Sequence, residues 1–134
     1  MSVEISSLLL AKLQAAAAAS PHAECCGLLF GTPQRIEDAS FAKNVAADSA
    51  RRFEVDPAHV IAAHRAARAG GPAVIGHWHS HPVGQAHPSA EDARSAGADG
   101  SLWLILNGAS VGLWRATEKG AVHGQFEPLA LAVV

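Results

Sequence analysis

The tightest constraint on this chain is the segment His77-Trp78-His79-Ser80-His81, three imidazoles alternating at the end of an apolar, β-prone run that begins at Ala73. Side chains two apart in a strand point to the same side, so the three rings share one face. They are poor core material, because a buried imidazole without hydrogen-bond partners is costly. The fold must therefore bring polar groups to this strand end. One is close in sequence: after seven residues, Pro82 to Pro88, the segment Ser89-Ala90-Glu91-Asp92 opens a helix and returns a carboxylate. Two nitrogens from His79 and His81 plus one oxygen from Asp92 leave a fourth tetrahedral position open, the arrangement of a catalytic zinc site that holds water. A general base is still needed to take a proton from that water and pass it to a leaving amine. Glu24 is the candidate, since it stands just before the apolar run Cys26 to Phe30, an odd place for a carboxylate without a chemical purpose.

The rest of the chain reads as short strands interrupted by helices. Val3 and Ile5 alternate, and Leu8 to Ala19 is a helix ended by Ser20-Pro21, because proline disfavours helix in the residue before it. Cys26 to Phe30, with Gly27 within it and Gly31 after it, predicts a buried strand, and Arg35 to Val45 and Phe53 to Val55 carry weaker strand patterns. Asp56 as N-cap with Pro57 at the first turn predicts a helix through Arg68. After Ala73 to His79 and the helix at Ser89 come strands at Leu102 to Leu106, Val111 to Arg115 and Val122 to Phe126, the first two joined by Asn107-Gly108. This order predicts an α/β fold, a mixed β-sheet flanked by helices on its faces.

With 134 residues, 49% hydrophobic and 16% charged at a formal net charge of -2, the expectation is one domain spanning 1–134. The balance of charge argues against a nucleic-acid partner, and no apolar stretch approaches the ~20 residues of a membrane span. The N-terminus lacks a basic region ahead of an apolar run and cleavage site, and the two cysteines, Cys25 and Cys26, are adjacent and cannot staple distant parts of a fold. These features predict a cytoplasmic protein with core thiols.

The full set of residues resembles the JAMM (MPN+, JAB-domain) zinc metallopeptidases of the prokaryotic single-domain type. Their pattern is an upstream Glu, then H-[ST]-H, seven residues and S-x-x-D, met here by Glu24, His79-Ser80-His81, Ser89 and Asp92. The flanks Glu24 to Gly27 and His79 to Pro82 are similar too, and His77 stands where relatives commonly carry a bulky apolar residue. The resemblance implies Zn2+ bound by His79, His81 and Asp92, Glu24 as the base that activates water, and Ser89 as a hydrogen-bond donor to the oxyanion. It implies a cytidine-deaminase-like fold. It also implies hydrolysis of a peptide or isopeptide bond at the C-terminal tail of a small ubiquitin-like or sulfur-carrier protein.

Several residues have plainer readings. Ser89-x-x-Asp92 after Pro88 is also an ordinary capping box. His77 reads as a lining residue beside the ligands, His87 as a candidate for the cleft wall, and Trp78 as packing on the far side of the strand. Trp103 and Trp114 read as core aromatics, and Arg51 and Arg52 as solvated. Two other functions compete. The segment from His77 to Val83 loosely fits the histidine-triad nucleotide hydrolases, although Ser80 and Pro82 interrupt that pattern and Glu24 and Asp92 are left unexplained. A catalytically silent MPN scaffold would keep the fold without the ligands. Zinc deaminases require a C-x-x-C that the chain lacks.

Overall fold

The computed structural model describes residues 2–134. Seven strands form one sheet in the order β1-β3-β2-β4-β5-β6-β7, closed into a barrel. They are β1 (Ser2–Ile5), β2 (Cys26–Thr32), β3 (Arg35–Ala39), β4 (Val74–Ser80), β5 (Leu102–Asn107), β6 (Ser110–Gly120) and β7 (Gly124–Val133), with helices α1 (Ser7–Ala18), α2 (Pro57–Arg68) and α3 (Ala90–Ser95) between them. The sheet is mixed, as expected: β4 and β5 run parallel, while β2–β3, β2–β4, β5–β6 and β6–β7 are antiparallel.

The expectation of a mixed sheet flanked by helices does not include closure. Closure comes from β1, which lies parallel to β3 on one side and to β7 on the other. Ser7 N–H then donates to the Val134 carbonyl at 2.8 Å and Val134 N–H to the Ile5 carbonyl at 2.9 Å, so the β1–α1 junction and Val134 are bound into the seam. The expected strand at Phe53 to Val55 is reduced to a single bridge between Asn44 and Val55, and the strand from Arg35 stops at Ala39. Between them the chain is held by isolated backbone hydrogen bonds, such as Ala42 N–H to the Cys26 carbonyl at 2.9 Å, and by the Asn44 side chain, rather than by a continuous ladder.

The β5 run Leu102 to Leu106 is continuously apolar because both of its faces are covered. Leu102, Leu104 and Leu106 join Trp78, Leu29, Ile36 and the α1 residues Leu9, Leu10 and Leu13 in one core. Trp103 and Ile105 face the other way, into a cluster with Trp114, Ala116 and Phe126. Helix α1 is started by Ser6, whose hydroxyl accepts from Leu9 N–H at 3.1 Å, satisfying one of the first-turn donors. Trp78 does pack away from the histidines, fully buried, and its indole N–H donates to the Ser40 carbonyl at 2.8 Å. That contact depends on Gly27, where a Cβ would stand 1.7 Å from the Ser40 oxygen.

Candidate metal centre

Strand pairing delivers the site. Cys26 of β2 is in register with His79 of β4, which places Glu24, two residues ahead of Cys26, beside the C-terminal end of β4. Ser80 locks the junction: its hydroxyl accepts from Cys25 N–H at 2.9 Å, and its own N–H donates to the Cys25 carbonyl at 3.0 Å. Beyond β4, His81 N–H donates to the Leu106 carbonyl at 2.8 Å, so the backbone stays paired with β5 one residue past the strand. Asp92 enters from the first turn of α3.

Glu24, His79, His81 and Asp92 are all buried and offer ligand atoms that lie within 4.8 Å of one another. His79 Nε2 and His81 Nε2 are 3.2 Å apart, and they face Asp92 Oδ1 at 3.3 Å and Oδ2 at 3.1 Å respectively. Ligand atoms about 2.0–2.1 Å from a tetrahedral zinc stand about 3.3 Å apart, so these separations are edges of a tetrahedron of that size. Glu24 Oε1 is buried with no hydrogen-bond partner, as suits a group that faces an ion's open position. The residues fit a divalent cation. His81 is further oriented by Nδ1, 2.7 Å from the Gln85 carbonyl; a proton on that nitrogen is donated there, and Nε2 is aimed at the centre.

The electrostatics follow from burial and from the pairing. Burial alone would raise the Asp92 carboxyl, but hydrogen bonds from His79 and His81 outweigh it and hold the group below the usual carboxylate range. Burial lowers His79, whereas at His81 the contacts with Asp92 and Gln85 overcome burial and raise it. Burial pushes Glu24 up to about 7, against a smaller downward pull from His81. A carboxyl at that value can both take and return a proton near neutrality.

Ser89 is in a complete capping box: its hydroxyl accepts from Asp92 N–H at 3.0 Å, and Ser89 N–H donates to Asp92 Oδ2 at 2.9 Å. Since the oxygen accepts, the O–H proton remains available, and Ser89 lines a cavity of about 420 Å³ together with Glu24, His81, Ala50, Arg51 and Val83. His77 lies outside the group of converging ligand atoms. Its ring packs on Trp103 at 4.2 Å and Phe53 at 4.9 Å between centroids, and burial lowers its pKa to about 3. His87 turns onto Trp114 rather than into this cavity.

Three supporting residues carried no signal in the sequence. Asn44 Nδ2 donates to the Glu24 carbonyl at 2.8 Å and the Arg52 carbonyl at 3.1 Å, and its Oδ1 accepts from the N–H groups of Ala46 and Glu54, each at 3.0 Å. Phe53 stacks on His79 at 4.1 Å between ring centroids, walling that imidazole from one side. His123, at φ 52° in the β6–β7 turn, reaches the Pro88 carbonyl with Nε2 at 2.9 Å and ties down the residue ahead of Ser89. Each acts across a gap that no local pattern spans.

The closed mixed barrel, with His79 and His81 at the end of β4, Asp92 in α3 and Glu24 ahead of β2, is that of a JAB1/MPN class of domain. Residues 6–118 match the family described as prokaryotic homologs of the JAB domain, and the chain belongs to it. It is 32% identical over 119 residues to the desampylase of Haloferax volcanii, covering 87% of this chain and 83% of that protein. Two solved structures share the fold. Protein DSY2949 from Desulfitobacterium hafniense superposes with a TM-score of 0.82 at 24% identity, over 100% of this chain and 93% of that one. AF2198, a JAB1/MPN domain protein from Archaeoglobus fulgidus, gives 0.57 at 20% identity over 98% and 99%. Membership in this family sets the histidine-triad reading aside. Among the described residues, no helix is long and apolar enough to cross a membrane.

Proposed function

We propose that the chain is a zinc-dependent peptidase or isopeptidase that hydrolyses an amide bond at the C-terminal tail of a small ubiquitin-like or sulfur-carrier protein. The observation that carries this reading is the buried Glu24 carboxyl facing the cluster of His79, His81 and Asp92. Two imidazole nitrogens and one carboxylate oxygen suit zinc, and His79, His81 and Asp92 would hold it. When bound there, the ion supplies Lewis acidity and lowers the pKa of water in its open position. Glu24 takes the proton of the attacking water and returns it to the departing amine, a double role that a buried carboxyl near neutrality supports. Ser89, with its O–H proton unused by the capping box, donates to the carbonyl oxygen as it gains charge. Asn44 and Ser80 position Glu24 through its own carbonyl and through the Cys25 backbone.

The substrate class is supported by the Haloferax volcanii relative, whose name is desampylase, a protein that removes a ubiquitin-like modifier in the sense of that word. A site at strand ends, beside a loop bearing Pro82, Gly84 and Pro88, suits an extended tail with small residues near the scissile bond. The test is a mass-spectrometric assay of ubiquitin-like and sulfur-carrier proteins bearing C-terminal extensions or isopeptide-linked partners, comparing the chain with Glu24→Gln. Cleavage next to the terminal glycine, lowered at least ~10²-fold by the substitution, is the expected result. Equal cleavage of an unfolded peptide and the folded carrier, or undiminished turnover by Glu24→Gln, would remove the reading.

A further inference from the structure

The mouth of the cavity in front of Glu24 carries one cation that the proposed chemistry does not use. Arg51 lines that cavity of about 420 Å³ with Glu24, His81 and Ser89, while its neighbour Arg52 is engaged elsewhere, with Nε 3.7 Å from Glu91. Arg51 takes part in no ion pair among the described residues, although the same region holds Asp48 and Glu91, both close enough to raise the Glu24 pKa. Its backbone is nonetheless fixed. Arg51 N–H and Arg52 N–H both donate to the Asp48 carbonyl, at 3.2 and 3.1 Å, and within this turn the Ser49 carbonyl accepts from Glu24 N–H at 2.7 Å. A short, backbone-locked turn thus couples the position of Arg51 to that of the base.

We infer that Arg51 is a specificity-determining residue that receives a free carboxylate of the substrate, carried by the residue released at the scissile bond. The inference rests on the proposed amide hydrolysis and narrows its leaving group. Hydrolysis adds water across the C–N bond: oxygen goes to the carbonyl carbon, the amine leaves with the proton, and the acyl product becomes a carboxylate. A single released amino acid carries its α-carboxylate on the carbon next to the departing nitrogen. Guanidinium binds such a group through two parallel N–H···O bonds, and its charge is constant over the working pH range. The other groups lining the cavity are a carboxyl, an imidazole, a hydroxyl and two small apolar side chains, so Arg51 is the permanent cation of the mouth. A lysine side chain joined through an isopeptide bond offers no carboxylate beside its nitrogen. Arg51 therefore favours trimming of C-terminal residues from a carrier over removal of a carrier from lysine.

Three substrates built on one ubiquitin-fold carrier test this: a tail ending Gly-Gly-Ala with a free C-terminal carboxylate, the same tail as the C-terminal amide, and the Gly-Gly tail joined to the lysine ε-amine of a blocked peptide. The expected result is that the acid is preferred over the amide by at least ~10-fold in kcat/KM. Arg51→Gln brings that ratio below ~2 through a rise in KM for the acid, with kcat on the acid held, and Arg51→Lys retains part of the preference. A purely structural role for Arg51 would lower kcat on all substrates together, and that outcome overturns the inference. So does an acid-to-amide ratio near one in the unsubstituted chain. Cleavage of the isopeptide alone overturns the inference while leaving amide hydrolysis standing; cleavage of none of the three overturns both.

Discussion

Replacing Asn44 with alanine separates the proposed role of Glu24 from the proposed metal binding by His79, His81 and Asp92. The side chain makes four hydrogen bonds, all to backbone, two donated by Nδ2 and two accepted by Oδ1, which is the full capacity of a primary amide. A net contribution of about 0.5–1.5 kcal/mol per bond, discounted because Asn44 is only half-buried and water can replace part of the set, gives a loss of about 2–4 kcal/mol. For a domain of this size each kcal/mol moves Tm by about 3–5 °C, so the shift is large enough to read by thermal denaturation. The catalytic effect is worked from position. Asn44 holds the Glu24 carbonyl directly, and a displacement of about 1 Å at a reacting group costs up to ~10²-fold, so kcat falls by about 10- to 100-fold. His79, His81 and Asp92 touch none of these bonds, so zinc content stays at the unsubstituted level. Asn44→Asp should be worse than alanine, since an oxygen then faces the carbonyls of Glu24 and Arg52. Thermal denaturation, turnover and elemental analysis on the same samples decide the matter. A Tm unchanged within 1–2 °C, or loss of zinc in parallel with loss of rate, would refute the reasoning.

Two further substitutions probe other parts of the account. Ser89→Ala loses an N-cap worth about 1 kcal/mol and, because the O–H is proposed to meet the oxyanion, about 10²-fold in kcat; a lower Tm with unchanged kcat would confine the hydroxyl to capping. His77, held near about 3 when folded against about 6.5 unfolded, favours the unfolded state as it takes up a proton there. Its contribution is intact above pH 6.5 and is lost as pH falls towards 3, so His77→Phe should gain about 2 kcal/mol relative to the unsubstituted chain between pH 8 and pH 5 in urea denaturation, and parallel pH profiles would contradict this.

How much of this was legible in the sequence depends on how far apart the partners lie. Cys26 to Phe30 and Leu102 to Leu106 read as buried strands because apolar side chains on both faces leave no polar alternation, and the structure covers both faces of β5. The cluster was legible because His79 and His81 are close neighbours at the end of β4 and Asp92 follows within one loop and one helical turn. Barrel closure was not legible, since it depends on β1 pairing in parallel with two strands from distant parts of the chain. The length of β7 was hidden for a related reason: Pro128 and the small residues Ala130 and Ala132 interrupt any strand pattern, and the pairing with β1 supplies the order that the local sequence lacks. Phe53 to Val55 has the opposite history, with strand-like residues but no neighbour beyond a single bridge, so Phe53 became the wall of His79 instead. Arg51 read as solvated and is exposed, yet its turn is fastened to Glu24 by a backbone hydrogen bond that only the folded chain reveals.

The central claim is that His79, His81 and Asp92 form one metal centre, and calorimetric titration of zinc into chelator-stripped protein measures it most directly. The account predicts one tight equivalent per chain, with heat released and protons displaced, and no tight binding in the double variant His79→Ala with Asp92→Ala. One equivalent still bound tightly by the folded double variant would contradict it.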